Sequence, residues 1–192
     1  MSAQLKISLA PFADISAYTE GFKMLSIQWG HDGLVYVLLI NEVPERKQEM
    51  FVQTKLEQNY TYKVLIVSDQ YVEEIVIAEQ TYLYHFVQPL HEHLLLVGAR
   101  STYYGADQFD RNARVLTREG VILRDFLLGD GIESVQVTKQ GTIWTSYFDE
   151  GVFGNYGWDD PVGSSGLVAW DEQGNQLYEN TVASIADCYA LN

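Results

Sequence analysis

Leu34-Val35-Tyr36-Val37-Leu38-Leu39-Ile40 is a run of seven apolar residues with Gly33 immediately before it. It is too short for a buried helix, which wants 10–12 residues and a 3.6-residue period, and it reads as a buried strand. Leu94-Leu95-Leu96-Val97 reads the same way. Gly120, Gly141 and Gly174 each stand between a polar pair and a stretch of strand character, as hairpin turns do. Working outward from these points, the chain divides into twelve strand segments in three sets of four. The first set is residues 22–28, 34–40, 62–67 and 74–78; the second is 82–87, 94–99, 114–116 and 121–126; the third is 133–138, 142–147, 166–170 and 176–179. Only residues 2–17 and 43–58 have room for a helical turn. Pro44 and the charged Glu45-Arg46-Lys47-Gln48-Glu49 read as a solvated insertion.

The turns recur. Those joining first and second strands fall near Gly33, His93 and Gly141, about 54 residues apart on average. Those joining third and fourth strands fall near Gln70, Gly120 and Gly174, about 52 apart. Four-stranded units of this length are the mark of propeller blades. The expected fold is therefore all-β and β-propeller-like, one domain over residues 1–192. Its blades span about 20–79, 81–128 and 131–180, with the first strand of a fourth at 184–192. Three blades and one strand leave two open edges, and an open edge is a template for pairing. The expectation is a truncated piece of a longer protein, or a homodimer closed through those edges.

Composition narrows the function classes. There are 12 Lys+Arg against 26 Asp+Glu, a net charge of −14, with 47% hydrophobic residues. Such a chain has enough apolar surface to fold. Its charge argues against nucleic acid and against anionic membrane surfaces as partners. No run approaches the length that spans a bilayer. The opening Met1-Ser2-Ala3-Gln4-Leu5-Lys6 has no signal-peptide pattern, and the single cysteine, Cys188, fits a reducing, cytoplasmic setting.

Several stretches of the last hundred residues are similar to a family of uncharacterised bacterial β-propeller-like proteins. They are Gly129-Asp130-Gly131-Ile132, Gly141-Thr142-Ile143-Trp144, residues 147–155 (Tyr147 to Asn155) and Gly163-Ser164-Ser165-Gly166-Leu167-Val168. Val97-Gly98-Ala99-Arg100, Asp110-Arg111-Asn112-Ala113 and residues 187–192 belong to the same likeness, which covers about residues 94–192. The resemblance implies the fold and further blades beyond residue 192; it implies no activity.

In a propeller the second-to-third-strand and fourth-to-first-strand loops share one face, here residues 41–60, 101–112, 149–165 and 127–131. Binding residues concentrate on loops held by a rigid scaffold. The candidate ligand-binding residues are therefore Arg100, Asp110, Arg111, Asn112, Asp149, Glu150, Asn155 and Trp158. Arg100 and Arg111, with Asp107 and Asp110, offer guanidinium forks for an anion or internal ion pairs. Asp149, Glu150, Asn155, Asp159 and Asp160 offer oxygens that suit Ca²⁺ or another divalent metal, or a solvated loop. No EF-hand spacing is present, and no metal ligand or required cofactor is assigned. His91-Glu92-His93 could hold zinc on a strand but falls at a turn. Gly163-Ser164-Ser165-Gly166 is not a nucleophile elbow, Gly129-Asp130-Gly131 is too short for a phosphate loop, and Cys188 reads as a small buried residue. Two functions remain. One is a scaffold that binds a protein or small ligand on its loop face; the other is a hydrolase or lactonase using loop carboxylates and a divalent metal.

Overall fold

The computed structural model describes residues 10–46 and 52–191. Four strands form the first sheet: β1 (Lys23–Trp29), β2 (Val35–Ile40), β3 (Lys55–Val67) and β4 (Val72–Tyr82). The second begins with β5 (Phe86–Leu90) and β6 (His93–Val97). A small hairpin of β7 (Tyr103–Gly105) and β8 (Gln108–Phe109) follows, and the sheet resumes with β9 (Ala113–Leu116) and β10 (Ile122–Phe126). The third contains β11 (Ile132–Val137) and β12 (Ile143–Tyr147), then, after a one-turn helix α1 (Asp149–Phe153), β13 (Leu167–Trp170) and β14 (Gln176–Glu179). Each four-stranded sheet is a meander in chain order, and every strand pair is antiparallel. The fold is all-β. Gly33 and Gly141 turn the first hairpins of the outer two sheets at φ +79° and +85°, a region closed to most side chains.

The strand sets read from the sequence are these sheets, with specific departures. Tyr82 ends β4, where it pairs with Lys55, so β5 starts only at Phe86. Pro89 lies within β5, tolerated because an edge strand can spare one N–H. The connections at 101–112 and 149–165 were expected as loops; they contain the β7–β8 hairpin and α1. Residues 184–191 form no strand, against the expected start of a fourth set. The expected helical turns survive only as a 3₁₀ turn at Ser16–Tyr18 and, near the other site, β3 begins at Lys55. Residues 1–9 and 47–51, with the rest of those expectations and part of the charged insertion, lie outside the described residues, as does Asn192. Among the described residues no helix is long and apolar enough to cross a membrane.

Strand alternation sorts each sheet into two faces. Leu94 and Leu96 of β6 join Tyr36, Leu38, Ile40, Tyr62, Val64 and Ile66 of the first sheet in one core. Leu95 and Val97, the intervening residues, join Val135, Val137, Ile143, Tyr147 and Val168 of the third sheet in another. The second sheet is thus apolar on both faces at β6, which is why that strand reads as an unbroken hydrophobic run. The far face of the first sheet, Val37, Leu39, Leu65 and Val67, is covered by Ala13, Ile15, Tyr18 and Phe22 of the segment before β1. Lys63 pins that segment, donating to the Tyr18 carbonyl at 3.0 Å and lying 4.4 Å from the Phe22 ring centre.

Two glutamines tie the first strands of the three sheets together. Gln28 of β1 accepts from the Val87 N–H (2.9 Å) and donates to the Val135 carbonyl (3.1 Å). Gln88 of β5 donates to the Trp29 carbonyl (3.2 Å) and accepts from the Val137 N–H (3.4 Å). Each carboxamide uses both its donor and its acceptor to satisfy backbone groups that lie between sheets.

Candidate functional site

Four connections meet at one end of the sheets. Thr54, just before β3, donates its hydroxyl to the Arg100 carbonyl (2.6 Å), and Lys55 reaches the Asp110 carboxylate (2.6 Å). The Asn112 side chain, fully buried, donates to the carbonyls of Gly98 and Gly129 (2.8 Å each) and accepts from the Leu128 N–H (3.0 Å). Gly131 packs so tightly against Gly151 of α1 that a Cβ on it would lie 2.3 Å from the Gly151 nitrogen. The Tyr103 N–H donates to the Tyr156 carbonyl (2.9 Å), laying the 154–166 segment over the β7–β8 hairpin. Trp158 fills the space beneath. Its ring centre lies 4.9 Å from that of Tyr103 and 6.0 Å from that of Phe109, and its indole N–H donates to the Ser101 carbonyl (2.7 Å).

Arg100 is the electrostatic centre of this end. Its side chain, 4% exposed, donates to Asp130 (2.9 Å) and to Glu150, and its guanidinium carbon lies 4.2 Å from the Tyr156 ring centre. Asp130 is 1% exposed and also accepts from the Ser101 N–H (2.7 Å). Burial pushes the Asp130 carboxyl up to about 6, against the pull of Arg100 and two backbone N–H groups. Burial also acts to raise Glu150, but hydrogen bonds from Arg100 and Asn155 and the Arg100 charge hold it below the usual range. His85 accepts from the Ala99 N–H (3.0 Å), and burial, then the Arg100 charge, depress its pKa to about 4.

These two shifts oppose each other. Between about pH 4 and 6 the native chain holds a proton on Asp130 that the unfolded chain has released. That contribution to stability is full in acid and is lost as pH rises through about 6. Over the same range the unfolded chain protonates His85 and the native chain does not, so His85 stabilises above its ordinary value and less as pH falls toward 4. Replacing Asp130→Asn removes the first and leaves the second. Between pH 6 and 4 the variant should lose stability more steeply than the parent, by up to about 1.4 kcal/mol per pH unit. Urea midpoints at pH 6, 5 and 4 measure this, and parallel profiles for the two proteins would contradict it.

Of the eight residues singled out from the sequence, Arg100, Asp110, Asn112, Glu150, Asn155 and Trp158 come together here. Each is engaged by its own chain. Arg111 does not join them: it is exposed and pairs with Asp125 (3.0 Å), so both arginines make internal ion pairs, with Asp130, Glu150 and Asp125 as the carboxylates. Asp149 is exposed on α1 and accepts from the Glu150 N–H, and the Asn155 side-chain oxygen accepts from the Tyr156 N–H. The two histidines of the β5–β6 turn point to different carboxylates, His91 to Glu172 (3.0 Å) and His93 to Glu92 (3.5 Å). Cys188 is half-buried and lies outside any strand. Asp130, Ser101, Thr54, Lys55 and His85 were missed. Only Asp130 carried a signal, as an acid between two glycines in a segment that must turn.

Among the described residues no three His, Cys, Asp or Glu side chains converge as metal ligands would. The same connections expose Tyr104 and Phe153 together with Asp107, Asp149, Asp159 and Asp160. No family model matches this chain, and neither does any curated protein or any solved structure.

Proposed function

We propose that this chain is a non-catalytic scaffold of β-propeller type that binds a cationic, partly apolar ligand, a peptide segment or small molecule, on the face formed by its connections. The propeller reading draws support from three successive four-stranded meanders whose first strands are joined by Gln28 and Gln88. The observation that carries the binding reading is the contrast between two layers of one end. Beneath, Arg100, Asp130, Glu150, Asp110 and Asn112 are spent on holding the connections to one another. Above, aromatic rings and carboxylates face solvent on segments thus fixed in place. Groups already paired cost nothing further to organise when a ligand arrives, and rings with carboxylates suit a cation. The hydrolase alternative asks for carboxylates free to ligate a metal or move a proton, whereas the buried ones here are committed to Arg100 and Lys55.

The test is a titration followed by ¹H–¹⁵N NMR, using a short peptide of alternating lysine and leucine as the probe. Shifts should cluster in residues 101–112 and 149–166 and shrink as salt screens the charges. Shifts confined to other parts of the chain would overturn the proposed face. A stoichiometric divalent metal in purified protein, bound at these carboxylates, would favour the hydrolase.

A further inference from the structure

Two carboxylates at the shared end of the sheets, Asp130 and Asp110, are each 1% exposed and each carry a cation. The two pairs are built differently. Arg100, on Asp130, is itself 4% exposed and also serves Glu150. Lys55, on Asp110, has a side chain 55% exposed, and Asp110 is its one carboxylate partner among the described residues. Its hydrogen bond to Asp110 raises the Lys55 pKa, so the group seated there is an ammonium. An ammonium has three donors, and a single carboxylate leaves the others to water. A long flexible side chain held by one such contact gives up rotamer freedom to keep it, so this pair is the more easily exchanged of the two.

What surrounds the ammonium is set without it. The Asp110 carboxylate accepts from the Thr102 N–H (3.3 Å) and from the Tyr104 hydroxyl, 3.1 Å from one oxygen and 3.2 Å from the other. Tyr104 is 57% exposed, and its ring centre lies 5.2 Å from the Lys55 nitrogen. The ring of Tyr82, opposite Lys55 in the β3–β4 pairing, already carries Arg114, whose guanidinium carbon is 3.8 Å from its centre. Nor does the tie between the two connections depend on Lys55, since the buried Thr54 hydroxyl bonds the Arg100 carbonyl. A buried carboxylate beside an exposed tyrosine ring suits an ammonium on an apolar stem. The carboxylate supplies charge and a hydrogen bond; the ring supplies cation–π attraction and packing for the stem.

We propose that Asp110 and Tyr104 form the ammonium subsite of the binding face, and that Lys55 is its built-in competitor, displaced by a lysine side chain or alkylamine of the ligand. This subsite presupposes the cation-binding reading of that face. A tethered group competes at an effective concentration on the order of millimolar. A lone amine therefore displaces Lys55 poorly, whereas a ligand with further contacts on the face displaces it well. Selectivity for extended cationic ligands follows. A competitor that holds the subsite roughly nine-tenths of the time lowers apparent affinity about tenfold.

The probe is n-butylammonium chloride, titrated into the full chain at neutral pH and about 0.15 M salt, followed by ¹H–¹⁵N NMR, with 1-butanol as the uncharged control. In Lys55→Ala, shifts should centre on the amides of Thr102, Tyr104 and Asp110, with a dissociation constant about tenfold or more below the parent's. The alcohol should produce none of them. Arg111→Gln removes a charge from the same end without uncovering Asp110, because Arg111 pairs with Asp125 (3.0 Å). Its constant should stay within about twofold of the parent's, since salt screens an exposed charge. Asp110→Asn added to Lys55→Ala should abolish the shifts, and a spectrum otherwise like the parent's separates this from misfolding. Equal constants for Lys55→Ala and the parent, an equal gain in Arg111→Gln, or the same shifts with 1-butanol would overturn the subsite. The lysine–leucine peptide separates the two readings. Peptide shifts in residues 101–112 and 149–166 that Lys55→Ala leaves unchanged in affinity keep the face and overturn the subsite; peptide shifts confined elsewhere overturn the face itself.

Discussion

Replacing Arg100→Met should lower the unfolding free energy by about 3–5 kcal/mol, although no apolar contact is lost. The cause is what remains. Asp130, 1% exposed, would keep its Ser101 hydrogen bond and lose its cationic partner, Arg100. An uncompensated buried charge is among the most destabilising single changes a core can suffer. For a chain of this length the loss corresponds to a fall in Tm of roughly 6–20 °C. Arg100→Lys should cost less, because a charge is restored while the fork that serves Asp130 and Glu150 together is not. Adding Asp130→Asn to Arg100→Met should recover part of the loss, since an amide is cheaper to bury than a carboxylate. Thermal melts of the three variants decide the matter. A cost below about 1 kcal/mol for Arg100→Met would mean that Asp130 is already neutral, or that water reaches it.

That Arg100 would pair with Asp130 was not written in any spacing. The two are 30 positions apart and stand on different connections, whereas Asp107 and Asp110 are the carboxylates close by in the chain. Strands, in contrast, were legible because their cause is local. An apolar run between turn residues can bury both faces only in a sheet covered on both sides, and Leu94-Leu95-Leu96-Val97 is divided in that way between two cores. Once the sheets were placed, the shared end of their connections followed, and with it six of the eight candidate residues.

The misses have physical reasons too. The β7–β8 hairpin turns through Ala106 and Asp107 at φ +49° and +59°, conformations that sequence usually advertises with Asn-Gly or Asp-Gly. Here neither turn position is glycine, so the signal was absent. Helix α1 is one turn long, with Gly151 inside it where the Gly131 backbone approaches closely, and neither length nor composition announces so short a helix. Residues 187–191 have strand-like composition, but composition does not make a strand without a ladder, and the bond from the Cys188 N–H to the Tyr147 carbonyl (3.0 Å) does not extend into one.

Trp158→Ala should cost about 3–5 kcal/mol, the range for deleting a large buried aromatic side chain. The ring is 8% exposed although it stands in a long polar connection, with Asp159 and Asp160 exposed after it. Two contributions can be separated. Packing against Tyr103 and Phe109 accounts for most of the loss, and Trp158→Phe should retain much of it. The indole N–H contributes the remainder, since without it the Ser101 carbonyl has no donor from this ring; Trp158→Phe should therefore cost about 1–2 kcal/mol. Ser101 is also the residue whose N–H holds Asp130, so loosening it reaches the charge cluster. The Trp158→Ala chain should consequently show a smaller additional loss on Arg100→Met than the parent does, and a double-mutant cycle measures the difference. Strict additivity would mean that ring and ion pair hold the connections independently, and that the binding face rests on two separate supports.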